Sequence, residues 1–280
     1  MRPGAISPEE RAGAVSPSAR IRLHRGSPES AGLPPDQDVL IHPVREPGEE
    51  AVTPTVILTF TQPDYRALCR LLKAQEQPRQ IWDCACRAGS WEGEALTVIA
   101  PAMGAPYAAM VLEKLIVLGA RRVLVLGWCG SLSEAVRIGD LILPNMAIPG
   151  DGTSPHYWPE SGGIPPHPGL YDALAARLQD AEIPWHTGPI WSTDALYRET
   201  RELVHSCQVQ GILGIDLELA ALSAVGRFRG IAVAGLMVVS DELFTFTWQP
   251  ARGSQPFRQA RKKALQVVLD SAADAERRDV

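Results

Sequence analysis

The sequence predicts an α/β protein in which parallel strands carry helices on their faces. Three observations lead to it. Short apolar runs alternate with stretches of helical periodicity, as happens when helices cover a sheet. With 280 residues, the chain is long enough for one large domain with a sizeable core. Its 45% apolar and 21% charged residues match ordinary globular composition, which excludes wholesale disorder, a collagen-like chain and a disulfide-dense scaffold.

The elements follow in order. Residues 1–50 hold eight of the 24 prolines, are polar and lack periodicity, so they read as a proline-rich, mobile extension. Within them Val39-Leu40-Ile41 is expected to pack on the main domain, residues 51–280, which begins in earnest near Thr53. Apolar runs give expected strands at 55–60, 96–100, 123–127, 141–146, 188–192, 211–215 and 231–239. A helix at 106–118 is entered through Ala105-Pro106 and left at Gly119, with proline and glycine where a first turn and a C-terminus favour them. Further helices are expected at 169–178, 198–207, 218–225 and 256–273.

Charge and cysteine usage narrow the partners. Twenty-seven basic against 32 acidic side chains give a net charge of −5 without a Lys/Arg-rich run, so neither nucleic acid nor a membrane is expected, and a small molecule is. Cys69, Cys84, Cys86, Cys129 and Cys207 form no metal-ligand spacing and read as buried free thiols; no metal or cofactor is called for. The N-terminus lacks a signal-peptide pattern and no run of about eighteen apolar residues occurs, so a cytoplasmic location is expected.

Ligands of open α/β sheets gather at the carboxyl ends of strands, which directs attention to residues just after the apolar runs. Three points stand out. Gly127-Trp128-Cys129-Gly130-Ser131 reads as a glycine-bracketed turn, either bringing backbone amides to a ligand or simply turning the chain. In Gly214-Ile215-Asp216-Leu217-Glu218 two acidic residues interrupt an apolar run, where sugar hydroxyls would satisfy a buried carboxylate and a helix cap would equally explain one. Ser240-Asp241 ends the longest apolar strand, where Asp241 is either a helix cap or an acid whose pKa desolvation raises for leaving-group protonation.

Together with Val136-Arg137-Ile138-Gly139-Asp140-Leu141 and Trp191-Ser192-Thr193-Asp194-Ala195-Leu196-Tyr197, these motifs in this order resemble the nucleoside phosphorylase family over residues 55–273. The family contains purine nucleoside phosphorylases, uridine phosphorylases and nucleosidases. The resemblance implies a three-layer α/β/α fold with a mixed, partly closed central sheet, and a homo-oligomer. It implies that Glu218 grips the ribose hydroxyls beside Leu217 and Asp216, and that Asp241, with Ser240, protonates a purine at N7. It implies further that Leu196 or Tyr197 stacks on the base, Tyr197 being the better suited by its ring. Gly127 and Trp128 are substrate-binding candidates, Trp128 either filling the former anion site with an apolar wall, shielding the sugar from solvent, or packing in the core. Cleaving an N-glycosidic bond builds positive charge on the sugar, so the two carboxylates suit that chemistry.

The departures concern phosphate. Where the family carries arginines after the first strand and two residues before the Gly-rich turn, this sequence has Thr61-Gln62-Pro63-Asp64-Tyr65-Arg66 and Val125, and a third arginine, lent by a neighbouring subunit, falls near Trp82. Phosphate wants bidentate guanidinium donors. Cleavage of a purine nucleoside or related N-riboside with water as acceptor is therefore the favoured expectation, with Asp64 as the base that activates it. The alternatives are a phosphorolytic enzyme with a rearranged phosphate site and a nucleoside-binding protein without turnover. Asp64 also reads as a simple turn residue, His156 as a surface residue or one that reaches the sugar 5′ end, Asp194 as a turn residue or one that orients the base, and Trp248 as the cover of a loop or interface.

Overall fold

A computed structural model describes residues 39–160 and 162–278 of the chain. The expected mobile extension therefore lies, up to residue 38, outside the described residues. Beyond it, the expected packing of Val39-Leu40-Ile41 does not occur, because Leu40 and Ile41 are 97% and 87% exposed. Anchoring begins later, where Lys114 Nζ pairs with Glu49 at 2.7 Å and the buried Val52 donates its N–H to Leu118.

The strands are β1 (Thr55–Thr59), β2 (Arg79–Ile81), β3 (Cys84–Trp91), β4 (Glu94–Ala100), β5 (Arg122–Ser131), β6 (Leu141–Gly150), β7 (Trp185–Thr193), β8 (Gly214–Asp216), β9 (Ala232–Glu242) and β10 (Gln249–Pro250). The helices are α1 (Gln62–Leu71), α2 (Ala105–Val117), α3 (Pro168–Gln179), α4 (Arg201–Val209), α5 (Leu219–Arg229) and α6 (Gln255–Arg278). All ten strands join one sheet in the order β10-β9-β6-β7-β8-β5-β1-β4-β3-β2, and β9 pairs with β5 as well. That second pairing closes β5, β9, β6, β7 and β8 into a ring, while β1 to β4 continue as an open wing. The sheet is mixed rather than all parallel. The pairs β1–β4, β1–β5, β5–β9, β6–β7 and β7–β8 run parallel, whereas β5–β8, β6–β9, β2–β3, β3–β4 and β9–β10 run antiparallel.

Alternation along the central strands makes the three layers. Val56, Leu58, Val123, Val125 and Val233 face one way and pack with Leu112 and Leu115 of α2 and Leu222 and Val225 of α5. Ile57, Leu124, Leu126, Ala234 and Leu236 face the other way, against Leu68 of α1, Leu174 of α3 and Phe257 and Val268 of α6. Burial on both faces explains why these strands read as unbroken apolar runs. All five cysteines are free and buried. Among the described residues no helix is long and apolar enough to cross a membrane.

Two sequence expectations need correction. Gly127 to Ser131 is no turn; β5 runs through it. The register between β5 and β9 slips at this point, Cys129 pairing with Val239 and Gly130 with Asp241, so Ser240 is an extra residue in β9. Such a bulge bends the strand and re-aims the next side chain. At Gly130 a Cβ would meet Leu243 Cδ1 at 2.5 Å and Asp241 Oδ2 at 3.0 Å, so these side chains would have to shift to admit one. The second correction adds elements: α1 and the β2–β3 pair were not expected. Between β3 and β4, Glu92 (φ 50°) and Gly93 (φ 91°) form a two-residue hairpin turn with two positive φ angles.

Candidate functional site

A cavity of about 550 Å³ opens where β1, β5 and β9 end and where α1 and α5 begin. Phe60 and Thr61 follow β1 into it, Trp128 and Gly130 come from β5, and Ser240 and Asp241 from β9. It lies at the carboxyl ends of parallel strands, as ligand crevices in such sheets do.

Glu218 and Asp241 line this one cavity. Glu218 is 4% exposed, and its Oε1 accepts the N–H of Gly104 at 2.7 Å. Burial, reinforced by the nearby Asp216 carboxyl, raises its pKa. Asp241 is 8% exposed; Ser240 Oγ donates to its Oδ1, and the indole N–H of Trp248 donates to Oδ2 at 2.9 Å. The bulge at Ser240 turns both side chains toward the cavity, and β10 folds back on β9 so that Trp248 reaches the carboxylate.

The other sequence candidates divide. Leu217, Leu196, Ser240 and Trp128 line the cavity. Asp216 lines it too, yet its oxygens are already used: Ser192 Oγ donates to Oδ1, and the backbone N–H groups of Glu218 and Leu219 donate to Oδ2 at 3.3 and 2.8 Å. Its role is therefore to cap α5 and fix Glu218. Tyr197 is 94% exposed and does not line the cavity, so Leu196, one residue earlier in the single turn Leu196–Arg198, is the side chain presented there. Gly127 is packed between Met237 and Phe60 behind the cavity wall.

Asp64 is not brought to the cavity surface. It is fully buried in the first turn of α1, where Thr61 Oγ1 donates to Oδ2 at 2.8 Å, Trp128 Nε1 to the same oxygen at 2.7 Å, and Arg261 pairs with Oδ1. Trp128 thereby stands fixed by Asp64 and by an edge-on contact with Phe257, with the exposed Arg252 guanidinium 5.7 Å above its ring. Thr61, Gln62 and Pro63 at the start of α1 also line the cavity, as does Arg252. His156 is exposed and lines a different cavity, and Asp194 accepts the N–H of Gly152 at 2.7 Å.

Arg252 and Glu199 escaped sequence reasoning, and Trp248 was expected only to cover a loop or interface. Trp248 and Arg252 follow the Ser240-Asp241 pair at distances that acquire meaning only once β10 folds back. Glu199 lines the cavity between the Leu196–Arg198 turn and α4, where Thr200 caps the helix by accepting the N–H of Leu203. Burial, and then the negative charge of Asp241, push the Glu199 pKa up to about 7.

The description that matches this chain over residues 54–273 is that of the phosphorylase superfamily. A guanosine phosphorylase from Halorubrum lacusprofundi is 35% identical over 191 residues, covering 65% of this chain and 77% of that protein. A DeoD-type purine nucleoside phosphorylase from Jannaschia sp. is 25% identical over 186 residues, 66% of this chain and 78% of its own length. Among solved structures, the purine nucleoside phosphorylase of Toxoplasma gondii in complex with immucillin-H superposes with a TM-score of 0.74 at 20% identity, covering 81% of this chain and 93% of that one. The uridine phosphorylase of Vibrio fischeri gives 0.72 at 22%, covering 80% and 93%.

Proposed function

The chain belongs to the phosphorylase superfamily, and from that premise we propose that it cleaves the N-glycosidic bond of a purine nucleoside with phosphate as the acceptor. The observation that carries the reading is the convergence of Glu218 and Asp241 on one cavity. As the bond between C1′ and N9 lengthens, positive charge spreads over the sugar ring and negative charge over the base. Glu218 accepts hydrogen bonds from the ribose hydroxyls, contacts that tighten as the ring becomes cationic. Asp241 gives a proton to N7, so the base leaves neutral. A phosphate oxygen forms the new bond to C1′, and the products are the free purine and ribose 1-phosphate.

The reading of phosphate as acceptor is supported by the position of Asp64. Activation of water requires a carboxylate that reaches the cavity, and Asp64 is fully buried beneath Trp128 and is not among the lining residues. The groups that remain for an anion are the start of α1 and Arg252, and the relatives reported above are named as phosphorylases. Arg252, drawn over Trp128, is in this reading the guanidinium that replaces those absent at Val125 and in the loop after β1. We further read the working form as a homo-oligomer.

The test is release of base from guanosine, inosine and adenosine with and without phosphate. Release that depends on phosphate and yields ribose 1-phosphate is expected, together with a loss of about 10²–10⁴-fold in kcat for Asp241→Asn. Equal rates without phosphate make the protein a hydrolase. Binding without release, unaffected by Asp241→Asn, makes it a binding protein.

A further inference from the structure

Asp64 carries a charge that the reaction just described does not use. It is fully buried behind the cavity wall, where Thr61 Oγ1 and Trp128 Nε1 donate to its Oδ2 at 2.8 and 2.7 Å and the Arg261 guanidinium of α6 pairs with Oδ1. A buried carboxylate–guanidinium pair is a poor source of stability, because desolvating two charges offsets most of their attraction, and apolar side chains of similar volume often serve a fold as well. What such a pair offers is a fixed direction. Here the direction is passed to an indole that lines the cavity.

Trp128 is held at two places. Its N–H is tied to Asp64, and Phe257 of α6 meets its ring edge-on, with centroids 5.0 Å apart and planes at 86°. An indole fixed in this way presents a π face in a set position, and the Arg252 guanidinium lies over that ring, 5.7 Å from its centroid. Arg252 is exposed, lines the same cavity and pairs with no carboxylate among the described residues, so the indole face is what gathers this rotamer-rich side chain to the cavity. A guanidinium kept there without an acid to neutralise it suits an anionic ligand.

We propose that Asp64 is a positioning residue for the anionic acceptor: through Trp128 it sets the place of Arg252, which receives phosphate. The inference rests on the phosphorolytic reading above. It gives the carboxylate expected to activate water a different task, performed at a remove from the reacting atoms. Asp64 meets neither sugar nor base, so its loss should weaken phosphate and leave the nucleoside alone. A role confined to holding the fold together predicts something else, a smaller fraction of active enzyme with both KM values kept.

The experiment is steady-state kinetics of the full chain, with phosphate varied at saturating guanosine and guanosine varied at saturating phosphate, for the wild type, Asp64→Asn, Arg252→Ala and the double variant. Asp64→Asn is expected to raise KM for phosphate about 10-fold, the size of one lost positioning contact, with KM for guanosine kept within about twofold. In the Arg252→Ala background the same substitution should change KM for phosphate by less than about twofold, since the group it positions is gone. Equal effects in the two backgrounds, or equal rises in both KM values, overturn the proposal. Trp128→Phe keeps an aromatic face and removes the N–H that Asp64 accepts; it should show the same coupling to Arg252, and it stands in where Asp64→Asn does not fold. If the wild type releases base at the same rate without phosphate, the phosphorolytic reading fails by itself, and calorimetry with inorganic phosphate alone decides the positioning. Binding that weakens about 10-fold in Asp64→Asn or Trp128→Phe upholds it, whereas equal binding, or none by the wild type at millimolar phosphate, overturns it.

Discussion

Glu199 tests what burial does to a single carboxyl when no ligand is present. Its pKa stands near 7 in the folded protein against an ordinary 4.5, because burial and then the Asp241 charge disfavour the ionised form. The sign follows from proton counting. Between these two values the native state keeps a proton that the unfolded chain has released, so stability falls as pH rises through the window and the deficit is complete above about pH 7. Glu199→Gln removes the titration. With the shift discounted for the solvent that still reaches the group, the variant should gain ~1 kcal/mol over the wild type at pH 8, or about 2–4 °C in unfolding midpoint, relative to any difference at pH 4. Thermal melts at the two pH values check this, and a variant-to-wild-type difference that is the same at both refutes it. At the same scale, the sequence exposed Glu218 and Asp241 because an acidic residue interrupting an apolar run is conspicuous. Glu199 lies in a polar stretch where one more acidic residue carries no signal. The choice of Tyr197 over Leu196 failed for a geometric reason: ring chemistry favoured the tyrosine, whereas the single turn at Leu196–Arg198 directs the leucine to the cavity.

The junction of β7, β8 and α5 shows how an element holds a functional side chain. Asp216 receives Ser192 Oγ and two N–H groups at the start of α5, and Ser192 Oγ in turn accepts the N–H of Ala220 at 2.9 Å. Asp216→Ala strips the acceptor from a buried hydroxyl and from the helix start. The expected cost is about 2–3 kcal/mol, near 4–12 °C in midpoint, with a raised KM for nucleoside because Glu218 rides on the same turn. A midpoint within 2 °C of wild type would mean that the network contributes nothing to the fold. The long buried strands and α2, α3, α5 and α6 were legible because burial and capping leave period and punctuation in the sequence. Elements with weaker signals were lost. Asp64, read as a simple turn residue, lies with Pro63 in the first turn of α1, where proline is favoured and Thr61 supplies the cap. The strand β3 has mixed burial and contains Gly89, so no clean alternation marks it, although Glu92-Gly93 is a hairpin signal in hindsight. The turn expected at Gly127-Trp128-Cys129-Gly130 became strand because glycine also serves close packing, and the two uses look alike without the neighbouring chain.

For the whole molecule, closure of the ring was beyond local reading: apolar runs reveal that strands are buried, whereas the pairing of β5 with both β8 and β9 joins residues far apart in sequence. The same long-range folding leaves an apolar face open. Trp82 and Met110 are 57% and 47% exposed and line, with Ile41 and Val44, a second cavity of about 920 Å³. Contiguous apolar surface of this kind on a folded chain signals an interface. The Met103–Pro106 turn separates the two cavities, Met103 lining the one with Glu218 and Pro106 lining the apolar one. The backbone N–H of Gly104 in this same turn holds Glu218, so cover over this second cavity is expected to steady that carboxylate. A second copy of the chain is the occupant expected here. Light scattering should give a mass that is a whole multiple of the chain, and Trp82→Glu combined with Met110→Glu should lower it to a single chain. The double variant should also raise KM for nucleoside by about 10-fold, equivalent to the ~1.4 kcal/mol of one lost positioning contact. A wild type that stays monomeric at micromolar concentration with full activity would separate the apolar face from the function.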